Sequence, residues 1–420
     1  MGVKKKSSMA TYRTASATDV LWNSVGSLVY LGCTWLTTVL VVLLSDDYRA
    51  SGSLAIAMAV GNVFSTIALF RVRTVQISDV RHSFSTGEYV AARRFTILIG
   101  FAATSIYALF TVDSSAYAVA ALYVLYKAIE SYVDVFHGVD QCHFRFDVIG
   151  KSQIYRGAAS LAGFLVGMAL LHSLVVAIAL MAVLTGLILC LFDCRRARDL
   201  EEIEVKWSVS AIARLLSSCV PGFIAMLCVT LVVSLTRQRY GLLYGQNALG
   251  VYAAIAAPTV IVQALASYIY APLVVPLAEA YHAGKSDVVL RTVGKFLLAL
   301  GVLIAVSEIC CWLFGFSVLN VLLGGISRDA VDLAYPLLIC TGATALLYFL
   351  QDILIVMNMR LGNVFCGAIA LVGSLAASDS LFGAFGANGI TYSILLGYGL
   401  NILISLLFVV RACGNRRHEI

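Results

Sequence analysis

Apolar residues along this chain come in long blocks, about twelve of them, broken by short polar loops. A helix crosses a hydrocarbon core about 30 Å thick with about 20 mostly apolar residues, so each block is long enough to span a bilayer. The pattern predicts spans over residues 20–44, 53–70, 95–110, 116–137, 153–171 and 174–192, then 219–236, 249–275, 296–314, 331–356, 361–381 and 388–410. Twelve spans with short connections consume nearly all of the 420 residues. The expected fold class is therefore an all-α polytopic membrane protein, with about 12 transmembrane helices and no sizeable aqueous domain.

Composition agrees with the pattern. Hydrophobic residues make up 60% of the chain and charged residues 12%, and the mean hydropathy is +0.92. A soluble domain carries roughly twice that charge. Lysine and arginine accumulate on cytoplasmic loops. With Lys4, Lys5, Lys6 and Arg13 inside, the 29 basic residues fall on the inner side except Arg49, Arg237, Arg239 and Arg328 outside and Lys127 within a span. Shifting the register by one helix scrambles this bias, so both termini are expected in the cytoplasm. The net charge of +6 then reads as an orientation signal rather than a nucleic-acid surface.

Processing and metal signals are missing from the sequence. The first apolar block is too long for a signal-peptide core and lacks a small-x-small exit, so it is expected to remain as the first helix. The opening Met-Gly resembles a myristoylation signal, but Lys6 stands where Ser or Thr is required. The eleven cysteines lie in spans or on the inner side without zinc spacing, and no His-Glu-x-x-His occurs, so no metal or cofactor is expected. No Gly-x-x-x-x-Gly-Lys-Ser/Thr loop is present to bind a nucleotide.

A charged segment separates six spans from six. It contains Arg195, Arg196, Arg198, Glu201, Glu202 and Glu204. The chain thus divides into a cytoplasmic tail over 1–19, a first six-helix bundle over 20–192, a cytoplasmic linker over 193–218, a second six-helix bundle over 219–410 and a tail over 411–420. In each half the longest inner loop follows the second span. Asp79, His82, Gly87, Arg93 and Arg94 in one run in the same order as Glu279, His282, Gly284, Arg291 and Lys295 in the other. Two parallel repeats are the economical reading, and many transporters bind substrate between such repeats. All five prolines lie in the second half, at Pro221, Pro258, Pro272, Pro276 and Pro336. Each removes a backbone hydrogen bond, so the seventh, eighth and tenth helices are expected to kink or break, for function or for packing alone.

Ionisable groups inside a membrane cost about 2.5 to 3.5 kcal/mol each at a helix centre, so each needs a reason. At about 100° per residue, Tyr123, Lys127, Glu130, Asp134 and His137 share one face of the fourth span. Lys127 lies too deep to reach either surface, and Glu130 is spaced to be its partner. Mutual neutralisation is the structural reading; a face on a water-filled cavity is the functional one. Arg237 and Arg239 close the seventh span, where an anion site would want them and lipid headgroups would also serve. Glu308 and the Gln351 and Asp352 pair sit in the ninth and tenth spans, with Asp352 the stronger candidate for carrying a coupled proton or sodium ion. Tyrosines Tyr240, Tyr244, Tyr252, Tyr268 and Tyr270 cluster near the seventh and eighth spans, where interfacial belts account for most and sugar stacking is the alternative.

Three stretches carry a resemblance. They are Arg73-Thr-Val-Gln76-Ile-Ser-Asp79-Val with Tyr89 and Arg93-Arg94; KAIESYVDVFHGVDQCHFRFDVIGKSQIYRG from Lys127 to Gly157; and Gly250-Val-Tyr252 with Pro258, Pro272 and Pro276. They resemble the loop after the second helix, the junction of the fourth and fifth, and the eighth helix of bacterial polysaccharide repeat-unit flippases. Those are members of the multidrug/oligosaccharidyl-lipid/polysaccharide exporter superfamily. The resemblance implies two bundles facing a central cavity that opens alternately to each side of the bacterial cytoplasmic membrane. It implies a lipid-linked oligosaccharide substrate, joined through pyrophosphate to a polyprenyl chain, and polysaccharide polymerase or export proteins as partners. On this chain Lys127, Arg237 and Arg239 would hold the pyrophosphate, with Arg73 near the cytoplasmic mouth. Glu130, Asp134 or Asp352 would couple transport to inward-moving protons or sodium ions. The family often lines its cavity with more basic residues than this chain supplies.

Independently of any family, moving one charge across 100 mV is worth about 2.3 kcal/mol, so an inside-negative potential favours outward passage of a dianionic headgroup. The nearest rival is an ion-coupled drug or metabolite exporter of the same superfamily, against which basic rather than acidic cavity residues argue. A membrane glycosyl- or acyltransferase would want an acid or histidine cluster on a large aqueous loop. Asp79 and His82, expected on an amphipathic inner helix, are the only nearby pair of that kind, so an enzyme is not expected.

Overall fold

Among the described residues, twelve long helices fall on the twelve predicted spans. The computed structural model describes residues 17–45, 48–79, 83–270, 273–323, 328–357 and 359–417; Lys4, Lys5, Lys6, Arg13, His82 and Pro272 lie outside them. In the first half these are α1 (Ala17–Leu43), α2 (Arg49–Leu69), α3 (Thr86–Thr111), α4 (Tyr117–Cys142), α5 (Phe146–Leu165) and α6 (Leu174–Ile188). In the second they are α7 (Val209–Tyr244), α8 (Gln246–Tyr270), α9 (Ser286–Leu323), α10 (Ala334–Val356), α11 (Arg360–Phe385) and α12 (Asn388–Arg417). Nine helices among the described residues are long and apolar enough to cross a membrane; α4 and α5, outside that set, carry Lys127, Glu130, Asp134 and Arg156 within their length. Large apolar side chains such as Leu109, Phe110, Leu298, Trp312 and Leu361 remain exposed, as they must on helices solvated by lipid. The chain is a multi-pass membrane protein.

Several helices outrun their apolar stretches. The 36 residues of α7 and 38 of α9 rise roughly 54 and 57 Å, far beyond a 30 Å hydrocarbon core. Hydropathy marks only the part in lipid, whereas backbone hydrogen bonding continues into water. For that reason α7 begins at Val209, inside the stretch read as linker, after the short helix Cys194–Leu200. Neither α7 nor α8 breaks at its proline: both run continuously through Pro221 and Pro258. Pro336 falls in the first turn of α10, where a missing N–H costs little.

Helix packing repeats with a shift of six. In the first half α1 packs on α5, α2 on α4, and α6 on both α4 and α5; in the second α7 packs on α11, α8 on α10, and α12 on both α10 and α11. Across the seam α2 lies against α7 and α8, with α1 against α8 and α3 against α7. At the end of the seam near the α7–α8 turn the helices touch backbone to backbone. A Cβ on Gly52 would lie 1.9 Å from the Gln246 carbonyl oxygen, and one on Gly250 would lie 2.0 Å from that of Tyr48. Ser51 Oγ donates to the Gly250 carbonyl at 3.2 Å and Ser53 Oγ to Gln246 Oε1 at 2.8 Å. This end is clamped shut.

The loop after α2 differs from expectation. A helix covers Val72–Ser78 but ends before Asp79, and Arg93 sits on α3 with its side chain fully buried rather than in a solvated loop. Asp79 organises the turn instead: its carboxylate accepts from the Ser83 and Phe84 amides at 2.9 and 3.0 Å and from the Tyr89 hydroxyl at 3.0 Å. Partial burial pushes this carboxyl up, but those hydrogen bonds outweigh it and hold it below the ordinary aspartate range.

Gly52→Ala should force α2 and α8 apart and cost about 1–3 kcal/mol, read as a lower Tm in detergent; an unchanged Tm would contradict the clamp. Because Asp79 titrates lower folded than unfolded, its stabilisation is present above about pH 3.9 and drains as pH falls through the depressed value. The Tm gap between wild type and Asp79→Asn should therefore be open at neutral pH and narrow in acid.

Candidate functional site

The polar stripe of α4 faces inward, and its charges are compensated within the first bundle. Lys127 Nζ lies 3.4 Å from Glu130 Oε2, with the Tyr126 and Tyr123 rings 5.1 and 5.6 Å from it. Glu130 also accepts from Arg156 Nη1 of α5 at 2.8 Å and from the Tyr30 hydroxyl of α1. One carboxylate therefore serves two cations, the buried Arg156 and the partly buried Lys127, and tyrosine rings share the load through cation–π contact. One turn along α4 from Glu130, Asp134 accepts from Arg73 Nη1 at 3.0 Å and from the buried Arg93 Nη2 at 2.7 Å. Arg73 also donates to Gln141, and Arg93 to the Ala68 carbonyl. His137 meets Ser152 at 3.0 Å and Asp193 at 3.6 Å.

The seam between the halves is built differently. A cavity of about 470 Å³ opens among α2, α7, α8, α10 and α12. Its wall is rich in hydroxyls and amides, including Asn62, Thr66, Thr230, Thr341, Tyr252 and Tyr398, and Arg237 is the one charged residue among its described lining. Arg237 lies seven residues before the end of α7, roughly 10 Å of helix rise from it. Its guanidinium stands 5.7 Å from the Tyr252 ring, and its Nε is buried without a hydrogen-bond partner. Among the described residues Arg237 forms no ion pair.

A second feature adjoins it. Between α1, α2 and α8 runs an apolar cleft lined by Leu31, Trp35, Leu54, Ala257 and Val260, and Arg237 lines its inner end too. Toward the α1–α8 surface it continues as a pocket of about 200 Å³ formed by Leu28, Leu31, Trp35, Ile261 and Leu265. Arg237 therefore stands where a polar chamber meets an apolar passage.

No protein-family model matches the chain, and no curated protein matches it by sequence. Solved structures do. A multidrug resistance MATE family transporter of the MOP superfamily, in an inward-facing conformation, superposes with a TM-score of 0.65 at 13% identity over 97% of each chain. The MATE transporter VcmN of Vibrio cholerae, in its bent form, gives 0.59 at 11% identity over 95% of this chain and 96% of that one. A MOP superfamily transporter from Pyrococcus furiosus, described as having a binding pocket of reverse polarity, gives 0.63 at 12% identity over 94% and 95%. The chain has the MATE transporter fold. At such identities the likeness speaks to architecture alone.

On this MATE-type frame the residues singled out from sequence scatter. Of the charged candidates among the described residues only Arg237 reaches the central cavity, where Tyr252 from the tyrosine cluster joins it. Arg239, two positions on and so about 200° around the helix, points away and pairs with Asp379 of α11, both side chains being exposed. Lys127 and Glu130 are brought together, as are Arg73 and Asp134, each set inside the first bundle. Asp352 stands apart on α10 with no hydrogen bond or ion pair among the described residues, and Glu308 keeps a buried, unpartnered Oε1. No group of three or more metal-binding side chains converges among the described residues. Arg156 was not singled out from sequence, although it falls within the predicted span over 153–171.

Charge pairing makes the two arginine–carboxylate settings behave differently. Glu130→Gln strands Lys127 and Arg156 and should cost about 3–5 kcal/mol, whereas Arg239→Ala breaks an exposed pair and should cost about 1 kcal/mol or less. Thermal unfolding of both variants in one detergent checks the contrast; equal losses would contradict it.

Proposed function

We propose that this protein is a flippase that carries polyprenyl-pyrophosphate-linked oligosaccharides from the inner to the outer leaflet by alternating access. The observation that carries the reading is the position of Arg237, uncompensated, at the junction of a hydroxyl-lined chamber and an apolar cleft between α1 and α8. A lipid-linked sugar has these three parts in this order: sugar for the chamber, pyrophosphate for the guanidinium, and hydrocarbon for the cleft. A cationic drug would instead favour a carboxylate, and none lines the chamber among the described residues. The Pyrococcus furiosus transporter with a pocket of reverse polarity supplies a precedent for variation of pocket charge on this fold.

In this reading the halves over 20–192 and 219–410 rock about the seam, with both termini in the cytoplasm. The clamped end faces outward, and the chamber loads from the cytoplasmic side. Glu130 and Asp134 are committed to basic partners, so Asp352, unpartnered on α10, is the residue best placed to bind and release a coupling proton or sodium ion. Membrane potential supplies further drive for an anionic headgroup.

Deleting the gene should make lipid-pyrophosphate-linked repeat units pile up on the cytoplasmic leaflet and deplete surface glycan. Complementation with Arg239→Ala should restore export, and Arg237→Ala should fail at equal protein level. Unchanged lipid-linked pools combined with heightened sensitivity to cationic drugs would replace this reading with a drug exporter.

A further inference from the structure

A second cavity of about 400 Å³ lies at the opposite end of the seam from the clamp, where the α2–α3 and α10–α11 connections emerge. Arg71, from the first half, and Arg360 and Asn363, from α11 in the second, all line it. Neither arginine makes a hydrogen bond or ion pair among the described residues. Arg71 lies within electrostatic reach of Asp352, but no ion pair joins them. Asn363 is 3% exposed, and its buried Oδ1 has no hydrogen-bond partner among the described residues, so one orientation of its amide offers an N–H to the cavity.

The local backbone aims Arg71 at this space. Phe70 and Arg71 both adopt left-handed conformations, φ 44° and 54°, a conformation that costs a non-glycine residue about 1–3 kcal/mol. Phe70 is held there by stacking on Phe223 of α7 with ring centroids 4.0 Å apart. Gly222, next to Phe223, leaves room for the arginine: a Cβ there would sit 3.0 Å from Arg71 Cδ.

We propose that this cavity binds a phosphate or pyrophosphate group between Arg71 and Arg360, with the Asn363 amide as a third donor. Two guanidinium forks and an amide suit the several acceptor oxygens of such an anion. The two arginines belong to different halves. Empty, the site sets like charges across the seam; filled, it bridges them, so the ligand favours closure at this end. The inference does not rest on the lipid-linked cargo, since a headgroup phosphate or a free anion would present the same chemistry.

The test uses the purified full-length protein in phosphatidylcholine nanodiscs, titrated with inorganic pyrophosphate by calorimetry. Carrying Arg237→Gln in every sample removes the central cation, so only the seam site is read. One saturable site is expected in that background. Adding Arg360→Gln, at an exposed position, or Gly222→Leu, which fills the space beside Arg71, should weaken it about tenfold or more, about 1.4 kcal/mol. If phosphatidylglycerol in the disc competes with pyrophosphate, the site also takes lipid headgroups; if it does not, the site selects free or cargo-borne pyrophosphate. Absence of binding in the Arg237→Gln background, or equal affinity with and without Arg360→Gln, would overturn the proposal. Retained pyrophosphate binding alongside failure of glycan export assays would leave this site standing while removing the flippase reading.

Discussion

Charge compensation within a hydrocarbon slab governs this structure. An unpaired ion at the centre of a membrane helix costs about 2.5 to 3.5 kcal/mol, so a chain that places Lys127, Arg156, Arg93 and Arg73 in or beside its first bundle must supply carboxylates to them. Glu130 and Asp134 each serve two cations, and Tyr30, Tyr123 and Tyr126 help hold the first pair. These contacts join α1, α4 and α5 at one level and α3 and α4 at another. The first half is thereby a body knit by ionic contacts across several helices. Against that background Arg237 stands out, because among the described residues the seam gives it a tyrosine ring and no carboxylate. The missing negative charge is what a bound anion would supply.

The seam itself is asymmetric along its length. At one end, Gly52 and Gly250 allow α2 and α8 to meet at backbone distance, with serine and glutamine hydrogen bonds across the contact. Further along, the helices part around the central chamber and then around the Arg71 and Arg360 cavity. Small residues and hydrogen bonds close one end, while cations without an ion-pair partner among the described residues line the spaces that remain open. Such a distribution suits a molecule whose contacts exchange between ends, because each state must leave some polar groups waiting for partners that only the other state or a ligand provides.

Much of the fold was legible in sequence because a bilayer imposes its thickness on apolar blocks, and all twelve long helices fall on predicted spans. Helix ends were less legible, since α7 and α9 continue past the apolar stretch that betrayed them. The inward face of α4 followed from 100° periodicity, but its role did not: the partners Arg156 and Arg93 come from other helices, and only packing reveals that they use up Glu130 and Asp134. Arg237 and Arg239 were read as a pair because they are adjacent in sequence, although an i, i+2 spacing puts them on opposite helix faces. Arg71 and Arg360 are nearly 300 positions apart, and nothing short of the fold brings them to one cavity.

The most direct test of Arg237 as the headgroup ligand is native mass spectrometry of the purified protein with an added polyprenyl pyrophosphate, comparing wild type with Arg237→Gln. A stoichiometric lipid adduct is expected on wild type and a strongly diminished one on Arg237→Gln, with adducts of a neutral lipid equal on both. Equal polyprenyl-pyrophosphate adducts on the two proteins would contradict it.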